Sequence, residues 1–133
     1  MKRFCFFLFA AIAFSACKKE PGQVPAGEVE VRVHVKHHDV PIPNARVFVK
    51  YNTVNFPGQD TTLYELRQVA DGNGFTVFSG LGNARTDYLF YAKGIDPSFD
   101  SSGTTPVWGY FPVRIETDPG EDYTRTITIA VSE

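Results

Sequence analysis

Cysteine is nearly absent: Cys5 and Cys17 are the only two in 133 residues, so no disulfide framework of the kind that staples small secreted domains is available. No apolar stretch reaches the roughly 20 residues that a helix needs to cross a bilayer; the longest, Phe4 to Ala16, stops short. Positive charge is not in excess either. Lys and Arg together number 13 against 15 Asp and Glu, for a formal charge of −2. Loss of Lys2 and Arg3 with the leader discussed below would leave the body more acidic still, a poor match to a phosphate backbone, and no nucleic-acid partner is expected. Outside the leader no helix-length amphipathic pattern is found, which argues against a helical domain. What is plentiful is apolar material, 43% of residues with 14% aromatic. That is enough for one folded domain with a single core and too much for a disordered chain.

The first residues read as an export signal. Lys2 and Arg3 form a basic start, Phe4 to Ala16 is the apolar stretch, and small residues precede Cys17. The sequence Phe14-Ser15-Ala16-Cys17 resembles the lipobox of bacterial lipoproteins, with Phe14 where Leu, Val or Ile is usual. The resemblance implies cleavage after residue 16 and acylation of Cys17 by chains such as palmitate. Cys5 would leave with the leader, so lipidation is the sensible role for the cysteine that remains. Each acyl CH₂ buried in a membrane contributes about 0.8 kcal/mol, and two or more chains anchor durably. Lys18 to Gly27 carries charge, two Pro and two Gly without apolar periodicity, and reads as a flexible linker. The expected organisation is therefore a signal peptide at 1–16, a lipidated Cys17 with its linker at 17–27, and a folded domain at 28–133. The expected address is the cell envelope, as an outer-membrane lipoprotein, with surface display left open beside a periplasmic orientation.

From Glu28 the pattern turns to strict alternation, with Val29, Val31, Val33 and Val35 set against Glu30, Arg32, His34 and Lys36. Period two with β-branched residues on one side predicts a strand with one wet face. Further strands are predicted at Ala45 to Val49, Thr62 to Ala70, Phe75 to Phe78, Thr86 to Lys93, Val107 to Glu116 and Tyr123 to Val131. Turn residues separate them, among them Asp71-Gly72-Asn73-Gly74, which reads as a tight hairpin, and Asp96-Pro97. Seven short strands at this spacing predict an all-β fold, a seven-stranded antiparallel β-sandwich. The inward residues are expected to include Val31, Val33, Val35, Val47, Val49, Phe75, Val77, Leu81, Leu89, Val113, Ile115, Ile127 and Ile129.

The segments Pro41-Ile42-Pro43-Asn44-Ala45-Arg46-Val47-Phe48-Val49 and Ala70-Asp71-Gly72-Asn73-Gly74-Phe75-Thr76-Val77-Phe78, followed by Gly80-Leu81, resemble the carboxypeptidase regulatory-like domains. The resemblance covers most of residues 28 to 131. It implies a transthyretin-like Greek-key sandwich and a non-catalytic module, and it departs at Asn52 to Thr62, at Ser98 to Thr105 and at Gly82 to Asp87.

Candidates for chemistry are few. His34, His37, His38 and Asp39 are the one cluster of metal-ligand types, but a site needs three or four ligands converging on one ion. His34 sits on a wet strand face, and adjacent residues of a strand point to opposite sides. Asp71, Asn73, Asp96 and Asp100 offer oxygen ligands without EF-hand spacing. Ser79, Ser98, Ser101 and Ser102 lack a nucleophile-elbow motif, and the C-terminal signature of the transthyretin-like ureide hydrolases is missing. No enzyme and no cofactor are expected. Aromatics are the richer lead. If Phe111, Val113 and Ile115 face inward, Trp108 and Tyr110 project outward, and Phe48 shares an outer face by the same parity. Exposed rings suit protein or glycan binding, unless the 94–106 loop folds over Trp108. The functional expectation is thus a lipid-anchored, non-catalytic binding or accessory module with an envelope protein or glycan partner. The alternatives are metal capture by His34, His37 and His38 and a structural spacer of a surface assembly.

Overall fold

A computed structural model describes residues 27–82, 86–98, 101–118 and 120–133. The leader, Cys17 and nearly all of the linker lie outside the described residues, as does Asp100. The described chain is all-β, with eight strands: β1 (Val29–His37), β2 (Val40–Pro41), β3 (Arg46–Tyr51), β4 (Leu66–Val69), β5 (Phe75–Phe78), β6 (Asp87–Asp96), β7 (Thr105–Arg114) and β8 (Tyr123–Ala130). One sheet sets β8 along one edge of β1 and places β5 and β2 end to end along the other; the second has the order β4-β3-β6-β7. The sheets pack face to face as a β-sandwich.

The alternation in β1 is realised in full. Val31, Val33 and Val35 are completely buried, each removing an apolar side chain from water for about 1.5–3 kcal/mol. Val47, Val49, Tyr88, Phe90, Ala92, Val113 and Ile115 meet them from the second sheet, with Ile127 and Ile129 beside them on β8. At Gly109 the chain of β8 passes so close that an added Cβ would lie 2.2 Å from the Ala130 carbonyl oxygen. Just beyond, Trp108 and Ser132 exchange backbone hydrogen bonds of 2.8 and 2.9 Å, so the C-terminal segment reaches across to the second sheet.

Several expectations are corrected. The extra strand is Val40–Pro41, a two-residue pairing with the end of β1. The sandwich is not wholly antiparallel, because β8 runs parallel to β1 from Val29↔Tyr123 to Lys36↔Ala130. Asp71 to Gly74 forms a corner rather than a hairpin: β4 belongs to one sheet and β5 to the other. Phe75 and Val77 are not inward; they are 44% and 43% exposed. Direct cross-strand neighbours share a face, and Val31 and Val33 pair with Phe78 and Thr76, so Phe78 enters the core. Leu89 is buried, but it lies outside the core, in the outward row Lys50–Leu89–Pro112. Between Asp60 and Tyr64 a 3₁₀ turn, Thr61–Leu63, replaces the predicted start of β4, capped by the Asp60 carboxylate accepting from the Thr62 amide at 3.0 Å.

Candidate functional site

The outer face of the β4-β3-β6-β7 sheet is built in rows by strand register. One row is Arg67–Phe48–Tyr91–Tyr110, and the next is Val69–Arg46–Lys93–Trp108. The outward parity read for Trp108, Tyr110 and Phe48 is the one observed, but only Tyr110, at 47% exposure, is open to solvent. Phe48 is buried at 4% exposure. The cover comes from the β3–β4 connection, not from the 94–106 loop. Phe56 stacks on Tyr110 at 4.6 Å and on Trp108 at 5.6 Å between centroids. Tyr64 packs on Phe48 and on Tyr91 at 5.8 and 5.4 Å. The Tyr64 hydroxyl donates to the Gly58 carbonyl at 2.7 Å, tying the loop to itself. Burial, and secondarily the neighbouring Tyr91, push the Tyr64 pKa up to about 12, so this donor stays protonated.

Trp108 is half-buried because its other side borders a groove of about 620 Å³. Arg46, Lys93, Tyr91, Asn44 and Gln59 also line it, and Pro43, Pro97 and Pro106 supply stiff walls. Asn44 reaches this position from a left-handed backbone conformation, φ 56°, which Asn tolerates better than most residues. Its amide donates to the Asp71 carbonyl at 3.1 Å. The Tyr91 side chain is completely buried, and its hydroxyl has no hydrogen-bond partner among the described residues. Burial raises its pKa. A second concavity, lined by Asp87, Arg114, Glu116, Asp118 and Glu121, carries the opposite charge; there Arg114 already pairs with Asp87 at 2.8 Å.

The three histidines do not converge on one point, although the His37 and His38 rings lie 4.3 Å apart between centroids. His34 stacks on Phe75 at 3.8 Å, and its Nε2 lies 3.1 Å from the Asn73 carbonyl. Its pKa is lowered by burial and then by Lys36, against the upward pull of that carbonyl and of Asp71. His38 is exposed in the turn, with φ 45°. His37 is buried, with its Nδ1 2.6 Å from Asp96 Oδ2. Burial pushes the Asp96 carboxyl up, but hydrogen bonds from the Ser98 amide, the His37 ring and the Ser98 hydroxyl outweigh it and hold its pKa below the ordinary value. An ionised carboxylate only accepts, so Nδ1 carries the proton. Ser98, Asp96 and His37 thus come together with the carboxylate in the middle. The imidazole bonds to Asp96 rather than to the hydroxyl, which is not the order that activates a serine. No group of three metal-ligand residues is arranged around a common point among the described residues. Asp71 Oδ1 accepts from the Asn73 and Phe75 amides at 2.8 and 2.9 Å, the turn chemistry expected of it.

Sequence reasoning missed Arg46, Lys93 and Tyr91. Their signal was strand parity, since Arg46 alternates with Val47 just as Trp108 precedes Gly109. No protein-family model matches the chain, and no curated protein matches it. A solved structure, that of a 9R-lipoxygenase from Cyanothece PCC8801, is similar over 77% of this chain and 16% of its own, with 18% identity and a TM-score of 0.36. At that level the likeness carries no argument about activity.

Proposed function

We propose that this protein is a lipid-anchored cell-envelope module that binds a partner without catalysis, held in the outer membrane through Cys17 and built on a Greek-key, transthyretin-like sandwich of the carboxypeptidase regulatory-like kind. The observation that carries the reading is the outer face of the β4-β3-β6-β7 sheet, where stacked rings end at Trp108 on an open groove of about 620 Å³. That volume falls within the range of small-ligand sites, and rigid aromatic walls offer contact area at low entropic cost. An export leader ending in Phe14-Ser15-Ala16-Cys17 supports the envelope address. Metal capture is less well supported, because His34 stacks on Phe75 apart from the His37–His38 ring pair, and no third metal-ligand residue completes a site with that pair among the described residues.

The test has two parts. Mass spectrometry of the protein from its native host should find Cys17 acylated at the N-terminus; an unmodified thiol removes the anchor. A pull-down from native membranes should lose its partner when Trp108→Ala is combined with Tyr110→Ala. Unchanged capture by that folded double variant removes this face as the binding surface.

A further inference from the structure

The groove beside Trp108 gathers two cations and no described carboxylate to match them. Arg46 and Lys93 are direct cross-strand partners on β3 and β6, and both line it. Like charges set opposite one another on a sheet are destabilising. Neither is in an ion pair among the described residues, whose four pairs join Arg32 to Glu30, His37 to Asp96, Lys50 to Glu65 and Arg114 to Asp87. The Lys93 ammonium lies 5.6 Å from the centre of the Phe48 ring instead. Two cations therefore share a concavity whose lining contains no carboxylate among the described residues. An anion supplies what this arrangement lacks, through charge-assisted hydrogen bonds.

The rest of the lining narrows the anion's carrier. Trp108 offers a flat ring to the apolar face of a sugar, and the Asn44 and Gln59 amides each offer a donor and an acceptor, the combination that hydroxyl groups require. An extended peptide draws its affinity from a row of main-chain hydrogen bonds along a sheet edge. This groove lies on a sheet face, β3 and β6 are both interior strands, and the edge of β7 at Trp108 is already taken by Ser132.

We propose that the groove binds a carboxylate-bearing sugar unit of an acidic polysaccharide, with Arg46 and Lys93 clamping the carboxylate and the sugar ring laid against Trp108. The proposal deepens the binding-module reading and rests on it.

Calorimetric titration of the full chain, purified in detergent, tests it with short oligogalacturonides as the probe. Neutral galactose oligomers of equal length and polyglutamate serve as comparators. Saturable binding of the oligogalacturonide is expected, weakened by added salt. Neutral oligomers should bind at least about tenfold more weakly, and Arg46→Gln and Lys93→Gln should each lower affinity by roughly tenfold or more, as loss of a hydrogen bond to a charged group does. Both glutamine variants should keep the thermal transition of the parent, which separates lost recognition from lost folding. Neutral and acidic oligomers binding alike, or both glutamine variants binding as the parent does, overturns the proposal while leaving a Trp108-dependent binding module standing. Polyglutamate bound as tightly as the sugar acid overturns it in favour of an acidic peptide. No binding of any probe also overturns it, and the Trp108 and Tyr110 pull-down then decides the broader reading on its own.

Discussion

Removing one oxygen from Tyr91 should make this protein more stable. The ring is completely buried and is enclosed by Phe48, Phe56, Tyr64 and Trp108, at centroid distances between 5.4 and 6.4 Å. Its hydroxyl has no partner among the described residues. Leaving a hydroxyl buried and unbonded costs about 1–3 kcal/mol on the scale of protein substitutions. Phenylalanine preserves the ring, its packing and its four aromatic contacts, so Tyr91→Phe removes that penalty and creates no cavity. A gain of about 1 kcal/mol is the conservative figure. For a domain of this size it corresponds to a rise of roughly 4 °C in the midpoint of thermal unfolding. Denaturant unfolding followed by tryptophan fluorescence suits the measurement, because Trp108 is the single tryptophan and lies beside the substituted ring. The slope of free energy against denaturant should not change, since the same surface is exposed on unfolding. A loss of 1 kcal/mol or more would refute the reasoning, because it would mean that the hydroxyl is satisfied in the folded protein.

Two further substitutions test the facing of β5. Phe78→Ala should cost about 3–5 kcal/mol, as expected for a buried aromatic replaced without repacking, whereas Phe75→Ala should cost no more than about 1.5 kcal/mol, the worth of its ring contact with His34; equal losses would contradict the observed register. The Asp96 carboxyl predicts a specific acid limb. Its folded pKa lies below the ordinary value of 3.8, so the stabilisation it contributes is complete above that value and is lost as the pH falls through the folded pKa. Unfolding free energy measured from pH 5 downward should therefore fall less steeply in Asp96→Asn than in the parent, and parallel curves would show that the His37–Asp96–Ser98 cluster does not contribute to acid sensitivity.

What the sequence discloses about this fold follows from how each strand is patterned. β1 alternates valine with charged or polar residues, so its faces are readable without any partner, and the inward row is the one observed. The same reading, carried one step further, puts His37 on the valine side of the strand, where it is in fact buried. Its partner Asp96 is 59 residues away, and no local pattern joins them. In β7, Val113 and Ile115 fix the parity that turns Trp108 and Tyr110 outward. β5 is different: Phe75, Val77 and Phe78 are apolar at three of four positions, so alternation is ambiguous, and only pairing with Val31 and Val33 decides which ring enters. Tyr88 to Ala92 in β6 is apolar at every position because both its faces are covered, which is why Leu89 reads as core. The second cover is the β3–β4 connection. Asn52 to Tyr64 has no periodicity to read, and it is this segment that buries Phe48 and stacks Phe56 between the rings of Tyr110 and Trp108.

Of the buried side-chain oxygens without a partner among the described residues, Thr117 Oγ1 borders the second concavity and the Tyr91 hydroxyl lies on the outer face of the second sheet. At the end of β6, between the groove-lining Ile95 and Pro97, Asp96 takes hydrogen bonds from His37 and Ser98, and at the corner Asp71 takes two backbone amides. On the outer face of the second sheet the same chain tolerates two opposed cations in register and a buried hydroxyl with no partner, within a single groove. Each could be removed by one substitution at an accessible cost in packing, glutamate for Arg46 or phenylalanine for Tyr91. Local conflict of this kind, set in an otherwise consistent structure, is where stability is commonly traded for recognition. Phe56 gives the conflict its form: its ring packs on Tyr91 and stacks on Trp108, while the indole also borders the groove that Arg46 and Lys93 line.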